Sequence, residues 1–302
     1  MPQGLLGIED LPREEIEAIL DRARDFQPAG DGSFAQFHNL RGKTVVLLFL
    51  EPSTRTRTSF EIAARRLGGD AILISGAGSS LSKGESLVDT LNTLAAMRPD
   101  AIVMRHKASG APHFLARHLK TPIINAGDGT HEHPTQALLD ARTILDRKQS
   151  LEGLRVAIIG DIEHSRVARS NIYLLSKFGV DIVLCGPAPL VPPELAQIAP
   201  GVSIEYDMKK AIRDCDVIMM LRVQLERQHE PDFPRGEYFS FYGLAPEHIE
   251  LARPDVLVMH PGPINRGREI SSEVADSQKS VILNQVENGV AVRMAVLERV
   301  LG

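Results

Sequence analysis

Eight short apolar runs, each followed by a stretch with helical periodicity, restrict the fold of this chain. The runs lie at 43–50, 70–75, 100–104 and 121–125 in the first half, and at 154–160, 180–186, 215–221 and 254–260 in the second. Continuous apolar strands that alternate with helices are typical of parallel sheets covered on both faces. The pattern predicts an α/β protein with two doubly wound domains, each a mainly parallel sheet of about four strands flanked by helices.

The chain ends are predicted to be helical, and the domain boundary is predicted in the middle. The first helix is expected to use Asp10 as its cap and to hold Pro12 in its first turn, where a missing N–H costs little. The segment 133–150 is also helical, and the strand pattern restarts after it, so the boundary is expected there. The amphipathic segment 285–302 could pack on either domain.

Composition excludes several classes of protein. The 302 residues carry a net charge of −5, which argues against a surface that coats nucleic acid. No apolar run reaches the ~18 residues of a membrane helix. Two cysteines form no disulfide framework, and the first residues lack a secretory signal, so the cytoplasm is the expected location. We expect neither a nucleic acid nor a membrane as a partner.

The segment 48–61 carries the strongest chemical signal. An apolar run ends at Leu50, Pro52 makes a turn, and Ser53 can cap the helix that follows. The N–H groups, hydroxyls and guanidinium of Thr54, Arg55 and Thr56 would then surround one tetrahedral anion. A capped surface helix with solvated arginines is the alternative, but Ser-Thr-Arg-Thr directly after a strand favours a phosphate site.

PSTRTRTSFE at 52–61 resembles the carbamoyl-phosphate signature of the aspartate and ornithine carbamoyltransferases. Six further segments resemble the family in its own order: SSLSKGESLVDT (79–90), VMRH (103–106), HPTQALLD (133–140), GDIEHSRVARS (160–170), LRVQLER (221–227) and HPGPINRG (260–267). The resemblance covers nearly the whole chain. It implies a carbamoyl-phosphate-binding domain of residues 1–133 plus 286–302 and an L-aspartate-binding domain of residues 134–285.

The resemblance implies the roles of the first-substrate residues. Arg105 would contact the phosphate and the carbonyl oxygen, His133 would donate to that oxygen, and Gln136 would hold the carbamoyl NH₂. The predicted catalytic residues are Arg55, Thr56, Lys83, Arg105 and His133. The residues predicted to bind carbamoyl phosphate are Ser53, Thr54, Arg55, Thr56, Ser80, Arg105, His133, Gln136, Pro261 and Gly262.

The amino-acid site is predicted in the second half of the chain. By resemblance, Arg222 and Gln224 bind the side-chain carboxylate of L-aspartate and Arg166 binds its α-carboxylate, with Lys83 also in contact. Two arginines suit a dicarboxylic amino acid and would repel the cationic side chain of ornithine, which is the alternative substrate. Glu51 could pair with Arg166 or remain a simple turn carboxylate. The implied reaction is carbamoyl transfer to the α-amine of L-aspartate, an early step of pyrimidine (UMP) synthesis.

The resemblance also bears on assembly and cofactors. In the family, the loop that carries Ser80 and Lys83 reaches a neighbouring subunit's site, which implies a homotrimer with shared sites. A regulatory or dihydroorotase-like partner chain occurs in the family, and the sequence leaves that open. We expect no cofactor and no metal, although His131, Glu132 and His133 could form a metal site in principle. A non-catalytic binding subunit would show gaps among the polar site residues, and a nicotinamide dehydrogenase would need the absent G-x-G-x-x-G fingerprint.

Overall fold

The chain forms two compact units. The computed structural model describes residues 4–29, 34–75, 86–222 and 237–302. One unit comprises Met1–Leu139 and Val286–Gly302, and the other comprises Asp140–Gln285. The division after residue 139 falls within a helix, a little later in the chain than the expected boundary at 133.

Each unit contains one parallel sheet. The strands are β1 (Thr44–Phe49), β2 (Asp70–Ser75), β3 (Ala101–His106), β4 (Ile123–Asp128), β5 (Arg155–Ile159), β6 (Asp181–Cys185), β7 (Val202–Ile204), β8 (Val217–Met220) and β9 (Leu257–Met259). The first four form one sheet, the other five form the second, and every pairing is parallel. The predicted α/β class with two mainly parallel sheets is therefore confirmed.

Helices follow most strands. In chain order they are α1 (Arg13–Asp25), α2 (Thr54–Arg66), α3 (Leu87–Ala96), α4 (Ala111–Ala116), α5 (Pro134–Lys148), α6 (Arg166–Ser176), α7 (Met208–Ala211), α8 (Tyr238–Tyr242), α9 (Pro246–Ile249), α10 (Ser272–Ala275) and α11 (Ile282–Leu301). Short 3₁₀ turns occur at Ala188–Leu190 and Pro193–Gln197. No helix in the described parts of the chain combines the length and apolarity that crossing a bilayer demands.

Strand order reverses once in each sheet. The orders are β2-β1-β3-β4 and β7-β6-β5-β8-β9, so the reversals lie between β1 and β3 and between β5 and β8. Chain segments that leave two neighbouring strands at such a point diverge, which opens a crevice beyond the carboxyl ends of those strands. Each unit therefore has one favoured place for a ligand.

The central strands are buried because their sequences are apolar without interruption. Five of the six residues of β1 are buried, and its Val46 and Leu48 pack with Leu91 and Leu94 of α3. In the second unit, a hydrophobic cluster with residues from β5, β6, β8 and β9 forms the corresponding core. Burial of these continuous apolar runs is the main force that fixes the two sheets.

Two elements differ from the sequence-based expectation. The edge strand β2 was expected to be covered on both faces, but Ile72 and Leu73 are exposed. The edge strand β7 was not predicted, because its three residues form no apolar run. Edge strands pair on one side only, so they need less apolar sequence than central strands.

The start of α1 also departs from the expectation. Pro12 is the N-cap residue, and its carbonyl accepts from the N–H groups of Glu15 and Ile16, each at 3.1 Å. Asp10 therefore lies ahead of the cap. A proline carbonyl can begin the helix as well as a carboxylate-bearing residue can, because the missing proline N–H would have no helical partner in any case.

The two cysteines are free and buried, and this generates a chemical prediction. Burial raises the pKa of Cys185 to about 12 and that of Cys215 to about 11. At pH 8 less than about one part in a thousand of either thiol is then the reactive thiolate. We expect neither cysteine to react with iodoacetamide in the native protein, and both to react after unfolding in urea, as mass spectrometry would show. Labelling of native Cys185 or Cys215 at the rate of a free thiol would contradict this.

Candidate active site

The N-terminus of α2 lies at the strand-order reversal of the first sheet. Ser53 is the N-cap residue with extended dihedrals, as expected, but its hydroxyl makes no capping hydrogen bond, contrary to the prediction. The first intrahelical bond runs from the N–H of Arg57 to the carbonyl of Ser53 at 3.3 Å. The N–H groups of the first turn therefore precede the helical ladder, and the Ser53 hydroxyl does not compete for them. This is the arrangement that binds anions at helix N-termini.

Side chains of this first turn differ in exposure. Thr54 and Arg55 are exposed, whereas Thr56 is buried and faces the interior of the unit. The exposed guanidinium adds a full positive charge to the partial positive charge of the helix end. The first turn of α2 therefore offers a concentrated set of donors to an anion from solvent.

Arg105 is the penultimate residue of the neighbouring strand β3 and is almost completely buried. Its Nη2 donates to Oε1 of Glu51 at 2.8 Å, and its Nη1 donates to the carbonyl of Ala126 at 3.2 Å. The backbone N–H of Leu50 donates to the Arg105 carbonyl at 2.9 Å, which links the ends of β1 and β3. Glu51 thus holds the Arg105 guanidinium in place, which is a role for Glu51 within the first unit.

His133 and Gln136 reach the same part of the first unit from the start of α5. The Nε2 atom of His133 lies 3.5 Å from Oγ1 of Thr56, and both side chains are buried. The N–H of Gln136 donates to the His133 carbonyl at 2.9 Å, which puts both residues in one turn. The structure therefore brings Thr56 and His133 together, as a shared role at a carbonyl oxygen requires.

Three of the predicted site residues cannot be placed. Ser80, Lys83 and Gln224 lie outside the described residues. Their roles stay predictions from the resemblance.

In the second unit, the turn after β5 leads into α6, a second helix with an arginine in its first turn. Gly160 approaches the end of β8 so closely that a Cβ atom would meet the Leu221 carbonyl at 2.8 Å. Asp161 is buried and accepts from the N–H and ring of His164, and Ser165 caps α6 by accepting from the N–H of Ala168 at 3.1 Å. Arg166, expected in a turn, is the first residue of this helix and is buried.

Arg222 lies just beyond β8, the neighbour of β5. Ile159 and Met220 are paired in the sheet, and the N–H of Leu221 donates to the Ile159 carbonyl at 2.8 Å. Arg166 and Arg222 therefore follow the two strands that flank the reversal point of the second sheet. Two guanidinium groups at one sheet edge match a ligand with two carboxylates.

The loop after β9 is held by buried polar side chains. Nδ1 of His260 accepts from the N–H of Gly262 at 2.8 Å, so the ring proton is on Nε2, which donates to Glu269 at 3.2 Å. The N–H of Asn265 donates to the same Glu269 oxygen at 2.6 Å. Gly262 has a φ of +70°, which suits glycine. The predicted contacts of Pro261 and Gly262 would thus come from a loop with a defined shape.

Tyr238 in the same unit is buried. Burial, followed by the charge of Glu269, raises the pKa of Tyr238 far above its ordinary value. Its hydroxyl has no hydrogen-bond partner among the described residues.

A buried network that the sequence analysis did not predict continues from this loop. The N–H of His260 donates to Gln285 at 2.9 Å, Gln285 donates to Asp140 at 2.7 Å, and Asn171 donates to the other Asp140 oxygen at 2.8 Å. It connects the loop after β9 to α6, the helix that begins with Arg166. Asp140 is fully buried, where a carboxylate needs hydrogen-bond donors, and the two amides supply such donors.

The three consecutive residues considered for a metal site have separate partners. The Glu132 carboxylate accepts from the N–H groups of Ile8 at 2.7 Å and Glu9 at 3.2 Å. The His131 ring lies against Asp128, whereas the His133 ring lies near Thr56. These three side chains do not converge, so a metal site made of all three is not supported.

Comparison with known proteins identifies the class of protein. Residues 3–146 match the family model "Aspartate/ornithine carbamoyltransferase, carbamoyl-P binding domain". Residues 152–300 match "Aspartate/ornithine carbamoyltransferase, Asp/Orn binding domain", which includes residues that the structure groups with the first unit. The chain belongs to the aspartate/ornithine carbamoyltransferase family.

Individual relatives are similar over their full length. The aspartate carbamoyltransferase catalytic subunit of Solibacter usitatus is 75% identical, and the match covers 100% of both chains. The ornithine carbamoyltransferase from Pyrococcus furiosus is 32% identical with a TM-score of 0.90, covering 100% of this chain and 97% of that chain. The aspartate transcarbamoylase from Trypanosoma cruzi, in complex with carbamoyl aspartate and phosphate, is 32% identical with a TM-score of 0.88, covering 100% and 96%.

The Asp140 network predicts a measurable stability effect. Replacement of Asp140 by alanine would leave the buried amides of Gln285 and Asn171 without their shared acceptor, at a cost of about 2–4 kcal/mol. We expect Asp140→Ala to lower the midpoint of thermal unfolding by several degrees, measured by circular dichroism. The control is Arg147→Ala on the same helix, where the side chain is exposed, and it should change the midpoint little. Equal midpoints for the two variants would refute the network's role.

Proposed function

We propose that this chain transfers the carbamoyl group of carbamoyl phosphate to the α-amine of L-aspartate, giving N-carbamoyl-L-aspartate and phosphate. The supporting observation is the pair of arginines, Arg166 and Arg222, that follows the two strands at the reversal point of the second sheet. The overall fold resembles aspartate and ornithine enzymes equally well, so it does not decide between them. Two cations select a dicarboxylic amino acid and disfavour ornithine, and the 75% identical relative is an aspartate enzyme.

In this proposal, the first unit binds carbamoyl phosphate. The phosphate group accepts from the first turn of α2, with the Arg55 guanidinium and the hydroxyls of Ser53 and Thr54 as further donors. The carbonyl oxygen accepts from Thr56, Arg105 and His133. Gln136, in the same turn as His133, accepts from the carbamoyl NH₂.

The second unit, with Arg166 and Arg222, binds L-aspartate through its two carboxylates. The amine attacks the carbamoyl carbon, and negative charge develops on the carbonyl oxygen. The bond from that carbon to the phosphate oxygen then breaks, phosphate leaves, and the amine loses one proton, for which the leaving phosphate is an available base. No side-chain nucleophile is required. Positioning of the reactants can lower the barrier by about 7–11 kcal/mol, and each oxyanion donor contributes about 10²–10³ in turnover.

We further propose that the active form is a homotrimer with sites shared between chains. The resemblance assigns Ser80 and Lys83 to a neighbouring chain's site. The exposed Ile72 and Leu73 on β2, which directly precedes that segment, are consistent with cover by another copy. The roles of Gln224, Pro261 and Gly262 remain those given by the resemblance. A cytoplasmic location is consistent with the two free thiols.

The first test is an assay with carbamoyl phosphate and either L-aspartate or ornithine. We expect phosphate release with L-aspartate only, and use of ornithine in preference to L-aspartate would overturn the proposal.

Arg55→Ala should lower kcat/KM for carbamoyl phosphate by at least about 100-fold, because it removes a charged donor to the phosphate. The control is Arg65→Ala at the other end of α2, where the side chain is exposed and paired with Glu61. That variant should retain wild-type kinetics.

The shared site predicts complementation between inactive chains. A mixture of Lys83→Ala and Arg55→Ala chains, exchanged after mild denaturation, should regain activity in up to about a quarter of its sites, because one chain supplies Arg55 and its neighbour supplies Lys83. A mixture of Arg55→Ala and Arg105→Ala chains is the control, because every site then takes both residues from one chain. Failure of the first mixture, with subunit exchange proven by mass spectrometry, would disprove sharing.

A further inference from the structure

Two histidines and one aspartate from three segments of the first unit lie close together. His113 lies on α4, Asp128 ends β4, and His131 lies in the loop before α5. One potential ligand atom from each residue falls within 4.8 Å of the other two. Asp128 is fully buried, and the two histidines are partly exposed. An ion from solvent could therefore reach the cluster while its anionic ligand stays inside the protein.

The distances within the cluster fit metal coordination. Nδ1 of His131 lies 3.1 Å from Oδ2 of Asp128, and the two imidazole rings lie with their centroids 5.2 Å apart. Two ligands of a tetrahedral zinc ion are about 3.3 Å apart, given bond lengths of about 2.0–2.1 Å. Nδ1 of His113 is buried and has no hydrogen-bond partner among the described residues. The described residues therefore do not compete with an ion for this nitrogen.

Asp128 is held in place independently of any ion. Its carboxylate accepts from the N–H of Gly110 at 2.6 Å, from the Asn125 amide at 2.8 Å and from the N–H of Glu132 at 3.1 Å. Such outer hydrogen bonds orient the carboxylates of metal sites and strengthen binding. Asp128 is thus a preorganised ligand.

The surrounding charges favour a cation. Asp10 acts on His113, and Glu9 and Glu132 act on His131, in addition to Asp128 itself. Arg117 is the opposing positive charge near His113. Negative charge therefore predominates around the two rings.

We propose that His113, Asp128 and His131 form a binding site for a divalent transition-metal ion of the zinc class, with solvent as a further ligand. Two imidazoles and a carboxylate are the ligands that zinc and cobalt(II) accept, whereas magnesium and calcium prefer oxygen. The ion would join α4 to the loop that leads into α5. None of these three ligands is assigned to either substrate, so the proposed carbamoyl transfer does not require the ion.

The test measures metal binding to the untagged, metal-stripped full chain. Titration with Co²⁺, followed by visible d–d absorption, should show saturation at one ion per chain, and competing Zn²⁺ should abolish the signal. Saturating Zn²⁺ should raise the midpoint of thermal unfolding by about 5 °C. His113→Asn and His131→Asn should each weaken binding at least about tenfold. His118→Asn is the matched control, because this exposed histidine lies just after α4, contacts Phe114 and is not one of the three clustered residues.

Two outcomes would overturn the site. One is a wild-type chain that shows no saturable Co²⁺ or Zn²⁺ binding. The other is binding that His113→Asn and His131→Asn leave unchanged. Circular dichroism of each variant without metal shows whether it is folded, and a variant that fails to fold is replaced by the glutamine substitution at the same position. Carbamoyl transfer without metal should be unaffected in both variants, so this result and the test of the proposed function are independent.

Discussion

Parallel pairing of buried strands is the constraint on which the described structure depends. Because every strand of a sheet runs in the same direction, the polar segments that follow the strands all emerge at one edge. A reversal of strand order then separates the segments after β1 and β3, and likewise those after β5 and β8. The residues with the strongest chemical signals, Arg55 and Arg105 in one unit and Arg166 and Arg222 in the other, lie at or beyond the carboxyl ends of these four strands. Apolar burial thereby determines where the charged chemistry takes place.

The eight predicted strands follow from apolar runs that are too short for buried helices and are bounded by polar turns. The sequence could not predict β7, because an edge strand of three residues is stabilised mainly by its pairing with β6. Nor could the sequence predict the exposure of Ile72 and Leu73, since the same residues in a central strand would be buried. The prediction that Asp10 caps α1 was wrong, because Pro12 begins the helix with its backbone carbonyl. Side-chain capping preferences do not predict which backbone carbonyl begins a helix.

Site features formed by neighbouring residues of the chain could be predicted from the sequence, whereas contacts between residues far apart in the chain could not. The turn at Ser53–Thr56, which we propose to bind an anion, is contiguous, so spacing and capping rules predict its position, although not the missing hydrogen bond of Ser53. Asp140, by contrast, bonds to Asn171 and Gln285, which are 31 and 145 residues away along the chain. The cluster of His113, Asp128 and His131 likewise depends on the packing of α4 against β4. Such contacts arise from tertiary structure, and a single sequence has no periodicity that encodes them.

The composition of the first unit from both ends of the chain has a consequence for biosynthesis. In α11, Asn288 bonds to Gln27 at 2.7 Å and Arg293 bonds to Ser59 at 2.8 Å, so the last helix completes a unit that begins with the first residues. The second unit is continuous and can fold as soon as it leaves the ribosome. The first unit is complete only once α11 has been synthesised, long after its central sheet. Until then its apolar strands lack the cover of α11, and apolar surface exposed in this way makes a nascent chain prone to aggregation.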